Sequence, residues 1–335
     1  MIYHMDDTDG RVAVLLPHGV LFRGGAEETI RKYIIRDLNR LDAVIGLPAN
    51  LFHGTNIPVC MLVLKSKRNG NSGNILFIDA SKEFKAGKNQ NVLDQEHIDK
   101  IVDAYVKRVD IDKFAHVADM SEIIENGYNL NIPRYVDSSE AAESWDIYAS
   151  MFGGLPISEI DELKEYWRAF PALRSALFEN TSSEYCKLIV DDIKKAIKEH
   201  ADVKNFESEF QTVFGNFDEY LYDELIAKMD SLSISKTEEI LADNIFARMT
   251  DIPLVDKYEA YQLLDDDWTK IAVDLEIIQT EGFEATKVVD ANMVVKKKGN
   301  VEQEVQEGWK GHIIPFELIQ STILAEDSKA IKEKE

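Results

Sequence analysis

The chain of 335 residues carries 45% hydrophobic side chains and a formal net charge of −23 at pH 7. A chain of this length can build two hydrophobic cores, because single domains commonly span about 50 to 250 residues. Its two cysteines, Cys60 and Cys186, stand far apart and outside any CxxC or Cys/His spacing. The sequence therefore predicts neither a disulfide framework nor a metal site.

The first residues, MIYHMDDTDGRVAVLLPHGVLF, place three aspartates ahead of a short apolar run. This pattern is neither a secretory signal nor the run of about 20 apolar residues that a membrane span requires. Since the cysteine usage also fits a reducing compartment, we expect a soluble cytoplasmic protein without a membrane anchor.

The acidic charge is unevenly distributed along the chain. Residues 1–140 carry 17 basic and 20 acidic side chains, whereas residues 141–335 carry 21 and 41. Binding to phosphates depends on neutralising them and releasing counterions, so only the first part could approach a nucleic-acid backbone comfortably. The second part is better suited to contacts with protein.

The first part has the pattern of an α/β sheet. The apolar run RVAVLLP, residues 11–17, predicts a strand buried on both faces of a parallel sheet. Residues 26–38 predict a helix with one apolar face, and residues 41–47 form the next apolar strand. Strand, helix and strand together predict a right-handed crossover unit.

The pattern then changes to an antiparallel one. Nine residues separate Leu47 from Ile57, too few for a crossover helix, so IPVCMLVLK is predicted to return antiparallel to a neighbouring strand. We expect the sheet to end in this antiparallel hairpin edge, with a further strand at residues 74–80. A parallel α/β sheet finished in this way is found in Rossmann-like methyltransferases.

Long ordered strings in the same region carry a family resemblance. They are GRVAVLLPHGVLFRGGAEETIRKYII, LDAVIGLPANLFHGTNIPVCMLVLKSK, ILFIDASKEF and NGYNLNIPRYVD. They resemble the modification (M) subunit of type I restriction-modification systems over most of residues 10–138. A weaker resemblance continues through GGLPISEIDELKEYWRAFPALRSALF and IPLVDKYEAYQLLDDDW. The resemblance implies an adenine-N6 DNA methyltransferase that uses S-adenosylmethionine.

Two motifs of that family are missing from the sequence. The family holds its cofactor on a Gly-rich turn after the first strand and the target amino group at an Asn-Pro-Pro motif, and the chain has neither. We therefore expect a C-terminal fragment that is inactive alone, with no catalytic residue and no S-adenosylmethionine site of its own. Without upstream strands, the strand at residues 11–17 would keep one edge unpaired.

The expected architecture is α/β followed by mainly α. Residues 1–138 would form the distal part of a Rossmann-like methyltransferase sheet with an antiparallel edge hairpin. Residues 139–335 would form a mostly helical assembly region with a small β-hairpin around Gly299 and Asn300. Residues 182–203 predict an amphipathic helix in this region, and residues 126–137 predict an extended strap that packs on the methyltransferase domain.

The resemblance places the loop after Leu47 against the target adenine. A methyltransferase must flip the base out of the duplex and grip it with flat side chains, and we assign the stacking ring to Phe52. Asn50 and Thr55 could hydrogen-bond the base edge or the sugar-phosphate, beside His53, while Gly54 permits a turn closed to bulkier residues. In the alternative interpretation Phe52 fills the core and Asn50 caps a turn.

A second loop leaves the carboxyl end of the strand at residues 11–17, where open α/β sheets place their ligands. Pro17 and His18 on this loop are therefore candidates for the target-base or DNA site. A histidine that merely faces solvent is the alternative for His18. It is unconvincing as a general base, because the methylated amine can lose its proton to solvent.

Basic side chains follow the predicted hairpin. Lys65, Lys67 and Arg68 are candidates for phosphate contacts that position DNA without reading its sequence, and three further lysines follow at Lys82, Lys85 and Lys88. The alternative is that such lysines protect an edge strand from unwanted pairing.

The resemblance also implies partners. They are DNA in the full complex, the specificity (S) subunit, a second M subunit and the restriction (R) subunit. The acidic, helical second part fits assembly with such proteins better than catalysis. The alternative function is a non-enzymatic protein-interaction module derived from half a methyltransferase, whereas the net charge of −23 disfavours a free-standing DNA-binding protein.

Overall fold

The computed structural model describes residues 2–139, 145–298 and 301–332. The chain divides into two compact units, Met1–Gly153 and Gly154–Glu335. The predicted functional boundary between residues 138 and 139 stays a prediction. Within the described residues, no helix combines the length and the apolar character needed to cross a membrane.

The first unit is built on a five-stranded mixed sheet in the order β1-β3-β2-β4-β7. Strands β2 and β4 are parallel, and the other neighbouring pairs are antiparallel. A separate small hairpin is formed by β5 and β6. The strands of this unit are β1 (Arg11–Pro17), β2 (Leu41–Gly46), β3 (Val59–Lys65), β4 (Asn74–Asp79), β5 (Lys85–Ala86), β6 (Asn91–Val92) and β7 (Ala115–Asp119).

Helices cover both faces of this sheet. Successive side chains of a strand point to opposite faces, so Val44 joins one core with Ile35, while Ile45 joins the other core with Ala104. The helices are α1 (Ala26–Lys32), which continues into a π-helical turn at Tyr33–Asp37, α2 (Gln95–Lys107), α3 (Met120–Glu125) and α4 (Ile147–Phe152). The α/β character predicted for this part is confirmed.

The structure corrects the predicted strand order. Strand β3 lies between β1 and β2, so the antiparallel strand is inside the sheet and not at its edge. Strand β1 instead forms the edge, and its residues alternate between exposed and half-buried, so the prediction of burial on both faces is wrong. Among the described residues β1 pairs only with β3, which confirms the predicted unpaired edge.

The segment at residues 126–137 packs on the sheet, as predicted. Leu130 is buried in the core, and the Tyr135 ring stacks on Phe77 with 3.8 Å between ring centroids. A 3₁₀ turn at Ile132–Arg134 interrupts the segment, so it is not extended throughout.

The two cysteines are buried. Cys60, in the middle of the sheet on β3, donates a hydrogen bond from Sγ to the Leu16 carbonyl at 3.4 Å. Burial raises the pKa of the Cys60 thiol to about 11. Cys186 is buried in the second unit.

The second unit is mainly helical, as predicted. Its strands form a three-stranded sheet in the order β8-β10-β9 and the hairpin β11-β12. The strands are β8 (Leu155–Pro156), β9 (Phe178–Asn180), β10 (Tyr185–Leu188), β11 (Val289–Lys298) and β12 (Val301–Gly311). The helices are α5 (Ile157–Glu162), α6 (Lys164–Ala169), α7 (Leu173–Leu177), α8 (Ile193–Glu199), α9 (Ala201–Phe214), α10 (Phe217–Leu221), α11 (Ile234–Met249), α12 (Lys257–Glu281), α13 (Phe316–Ser321) and α14 (Ala325–Lys332).

The structure tests two predictions made for this unit. The single helix predicted over residues 182–203 is wrong, because its first part forms β10 and its second part begins α8 at Ile193. The predicted hairpin is confirmed by its two strands, while its tip at Gly299 and Asn300 lies outside the described residues.

Candidate functional site

The loop between β2 and β3, residues 47–58, presents an aromatic ring to solvent; we call it the Phe52 loop. Its first two residues, Leu47 and Pro48, are buried, whereas Phe52 is 42% exposed. The Thr55 N–H donates to the Phe52 carbonyl at 3.4 Å, which closes the tip of the loop. The alternative in which Phe52 fills the core is therefore wrong, and its stacking role stays a prediction.

The start of this loop is held by Asn91 on β6. The backbone N–H of Asn91 donates to the Asn50 carbonyl at 2.8 Å, and its side-chain Nδ2 donates to the Ala49 carbonyl at 2.9 Å. Asn50 adopts a left-handed conformation with φ 59°, which asparagine tolerates better than most residues. Its side-chain amide forms no hydrogen bond within the described part of the chain, so it remains available to a ligand.

The tip of the Phe52 loop combines a flexible glycine with a hydroxyl. Gly54 has φ 78° and open space where a Cβ would stand, so the backbone conformation, and not crowding, requires glycine here. The Thr55 Oγ1 accepts a hydrogen bond from the Ile57 N–H at 3.2 Å, and His53, which precedes Gly54, is exposed. The predicted turn role of Gly54 is confirmed.

His18 fixes the base of the same loop. Its Nε2–H donates to the Val59 carbonyl at 2.9 Å, and the same oxygen accepts the Leu47 N–H at 2.9 Å. A carbonyl oxygen has two lone pairs, so one atom joins the loop that follows β1 to both ends of the Phe52 loop. The solvent-facing alternative for His18 is wrong, because the ring is half-buried and bonded. Pro17, the last residue of β1, is exposed opposite Val59.

Asp79 and Gly46 lie at the carboxyl ends of β4 and β2, and Gly46 directly precedes the Phe52 loop. The sequence interpretation missed both residues. Asp79 ends β4, and its carboxylate accepts hydrogen bonds from the Ser138 hydroxyl at 2.5 Å and the Ser81 N–H at 3.1 Å. A Cβ on Gly46 would come within 2.6 Å of the Ile132 side chain. The sequence signal was a carboxylate and a glycine at the ends of neighbouring parallel strands.

The opposite end of β2 holds a buried ion cluster around Asp42. The Asp42 carboxylate lies 3.0 Å from Lys65 Nζ and 3.4 Å from both Arg68 Nε and Arg108 Nη1, and it accepts the Tyr105 hydroxyl at 2.7 Å. Asp42 is fully buried and the Arg68 side chain is only 1% exposed. The charged residue inside an otherwise apolar strand was the signal for this cluster.

This cluster corrects the predicted phosphate contacts. Burial by itself would raise the pKa of Asp42, but the hydrogen bonds from Tyr105 and Lys65 and the charge of Arg108 outweigh burial and hold it below its ordinary value. Arg68 is buried against this carboxylate, so its assignment to a DNA phosphate is wrong. Lys65 also pairs with Asp42 but keeps 21% of its side chain exposed, and its phosphate contact stays a prediction. Lys67 is exposed, and its phosphate contact stays a prediction.

The first unit also contains two apolar cavities. They have volumes of about 430 and 170 Å³, lie on the α1 side of the sheet, and are lined mainly by aliphatic residues together with Tyr3, Glu27 and Arg31. These two cavities offer few of the polar partners that the sulfonium and ribose of S-adenosylmethionine need. Across the described ranges, no group of three His, Cys, Asp or Glu side chains is placed to hold a metal ion.

Comparison with known proteins shows what the first unit is similar to. Residues 1–144 match the family model described as N-6 DNA Methylase. The resemblance predicted from the sequence is confirmed for this segment.

Individual relatives of the chain are methylase subunits of type I restriction enzymes. The chain is 41% identical over 160 residues to the "Type I restriction enzyme MjaVII methylase subunit" of Methanocaldococcus jannaschii, which covers 46% of this chain and 26% of that protein. It is 41% identical over 139 residues to the MpnII methylase subunit of Mycoplasma pneumoniae, covering 42% and 25%. The chain thus spans about a quarter of the length of the curated relatives it matches.

A solved structure is also similar. It is the methyltransferase subunit of a type I restriction-modification system from Streptococcus thermophilus, which is 57% identical to this chain. The alignment covers 41% of this chain and 28% of that one, with a TM-score of 0.39.

Proposed function

We propose that residues 1–144 supply the target-base side of an adenine-N6 DNA methyltransferase site, with Phe52 as the ring that stacks on the flipped adenine. The observation that carries this proposal is a 42% exposed phenyl ring at the carboxyl end of a parallel strand in a segment that matches the N-6 DNA Methylase family model. Enzymes that act on a base in a duplex extrude it and hold it against flat side chains.

The surroundings of Phe52 suit this binding role. Stacking of a base on an aromatic side chain contributes about 1–3 kcal/mol. Asn50 and Thr55 lie two and three residues from Phe52 on the same loop, and their amide and hydroxyl could offer hydrogen bonds to the base edge or the sugar-phosphate. Because Asn91 and the Val59 carbonyl already hold the loop, binding would cost little ordering entropy.

The methyl donor and the grip on the target amine would come from residues outside this sequence. S-adenosylmethionine, when bound there, supplies an electrophilic methyl group. This chain has neither the Gly-rich turn nor the Asn-Pro-Pro motif, so we expect it to be inactive alone. The unpaired edge of β1 can accept a further strand, and exposed Leu15 offers apolar surface beside it. We therefore place the junction with the catalytic half along β1.

The second unit would serve assembly. Its acidic and mainly helical character suits contacts with the specificity subunit, a second M subunit and the restriction subunit, and it suits DNA phosphates poorly. In this arrangement the partner subunits bring DNA to the loop that carries Phe52.

Reconstitution tests the proposal. The full chain would be mixed with a polypeptide that carries both missing motifs and with the specificity subunit, and transfer of a labelled methyl group to adenine would be measured. We expect activity that Phe52→Ala lowers about tenfold or more, or about 1.4 kcal/mol. Phe52→Tyr keeps a flat ring and should retain most of this activity.

A control variant distinguishes the loss of base stacking from a nonspecific effect of removing an exposed phenyl ring. Phe283 in the second unit is 63% exposed, so Phe283→Ala removes the same ring from a surface outside the loop and should leave methyl transfer unchanged. An active mixture in which folded Phe52→Ala equals wild type would make the loop a scaffold only.

The absence of both catalytic motifs from the sequence supports a second candidate function. In this alternative the chain is a non-enzymatic interaction module derived from half a methyltransferase. It would form complexes with partner subunits but never restore methylation, so a stable yet inactive complex would favour it.

A further inference from the structure

A surface groove crosses the second unit between the end of α10 and the middle of α12. Its volume is about 450 Å³. Leu225 and Leu275 are buried and form its floor, where they belong to the hydrophobic core between the helices. The groove therefore opens the core of this unit toward solvent.

The walls of the groove are apolar and exposed. Tyr222 is 60% exposed, Ile226 is 51% exposed and Ile271 is 40% exposed. Tyr222–Ile226 forms a π-helical turn, a local widening of a helix that is frequent at functional sites. Contiguous apolar surface of this kind, next to polar residues, is typical of protein interaction sites.

Two carboxylates line the same groove from opposite walls. Asp218 lies in the first turn of α10 and Asp274 lies on α12. Neither side chain forms an ion pair or a hydrogen bond with any other described residue. Burial raises the pKa of Asp274, so an occupant that brings a cation close to it would relieve an unfavourable environment.

We propose that this groove binds a cationic amphipathic helix of another protein. Such a helix presents apolar side chains at positions i, i+3 or i+4, and i+7 to the groove floor, and its lysines or arginines reach Asp218 and Asp274. The 41 acidic against 21 basic side chains of residues 141–335 would attract it. The inference does not rest on the methyltransferase role of the first unit.

The acidic side chains of the groove and of the unit disfavour two other occupants of the groove. A nucleic acid would bring phosphates to unpaired carboxylates, which is repulsive. A second copy of this chain would bring its own excess of acidic side chains to the groove, and like charges oppose association there, so a contact between two copies would use another surface of the unit.

A peptide probe tests the proposal with the full chain. The probe is a fluorescein-labelled peptide of about 18 residues, made of leucine and lysine spaced to form one apolar helix face. Fluorescence anisotropy at about 0.15 M salt, where distant charges are screened, would give its affinity. We expect the patterned peptide to bind about tenfold or more tightly than a scrambled peptide of the same composition.

Matched variants then locate the binding site. Ile271→Lys should weaken binding about tenfold, whereas Leu263→Lys makes the same charge change on α12 at a 73% exposed residue outside the groove and should have little effect. Asp274→Asn should weaken binding about threefold or more, and Asp243→Asn on α11 less than twofold.

Three results would overturn the proposal. Failure of the patterned peptide to bind would exclude a helix in this groove. Equal losses for Ile271→Lys and Leu263→Lys would mean that the peptide only senses the general acidic surface. Self-association of the chain in sedimentation that Ile271→Lys abolishes would assign the groove to a second copy of the chain.

Discussion

The two ends of strand β2 use opposite kinds of side chain. At its amino end, Asp42 is fully buried among the cations of Lys65, Arg68 and Arg108. At its carboxyl end, the Phe52 loop exposes a phenyl ring near an amide and a hydroxyl, none of them charged. The comparison teaches that the charged groups at one end of the strand are paired inside the fold, while the loop at the other end exposes an uncharged ring.

Removing the buried carboxylate of Asp42 should have the largest effect on stability of the changes considered for the two ends of β2. Asp42→Asn leaves the buried Arg68 and the partly buried Lys65 and Arg108 without their counter-charge, and breaking a buried pair from one side commonly costs about 3–5 kcal/mol. We expect a loss of that size in the free energy of unfolding, measured by urea denaturation. Asp37→Asn removes an exposed carboxylate next to Arg36 and should leave the unfolding midpoint unchanged.

Low pH should reduce the contribution of the same cluster to stability, with a smaller effect than the substitution. The pKa of Asp42 is lower in the folded protein than its ordinary value, so the unfolded chain binds the extra proton first as pH falls. The contribution of Asp42 is therefore complete above about pH 5 and is lost as pH falls below about 4, through the folded pKa. The difference in unfolding free energy between wild type and Asp42→Asn should shrink over that range, and a constant difference would contradict this assignment.

The smallest expected effect lies at the other end of the strand. His18→Ala removes one hydrogen bond to the Val59 carbonyl, which keeps its bond from Leu47, so we expect a loss of about 1 kcal/mol in unfolding free energy. Amide hydrogen exchange over residues 47–59 should also become faster. His53→Ala removes an exposed histidine from the tip of the same loop and is the matched control; equal effects of both substitutions would exclude a special role for His18.

Sequence patterns predicted local structure in the first unit but not strand order. The apolar run at residues 11–17 and the short connection after Leu47 were sufficient to predict strands and an antiparallel return. An uninterrupted apolar run does not reveal which strand lies beside it, so β1 was assigned to the interior of the sheet and β3 to its edge. In the structure β3 takes the central position, which leaves β1 half exposed.

The candidate site shows the same limit. The turn at Gly54 follows from local chemistry, because glycine adopts a positive φ without strain, whereas the accessible ring of Phe52 was implied by the family resemblance. The partners of Lys65 and Arg68 are set by Asp42, which lies more than 20 residues earlier in the chain. Such long-range pairs depend on the register between β2 and β3, which a hydrophobic pattern does not supply.

The burial of both cysteines has a practical consequence for labelling. A thiol reacts as its thiolate, and Cys60 is shielded by the sheet with its pKa raised to about 11, while Cys186 is likewise buried. Maleimide reagents should therefore spare both in the folded protein. In a Phe52→Cys variant the introduced thiol would react selectively, so a single dye could be attached at the tip of the loop without first removing a native cysteine.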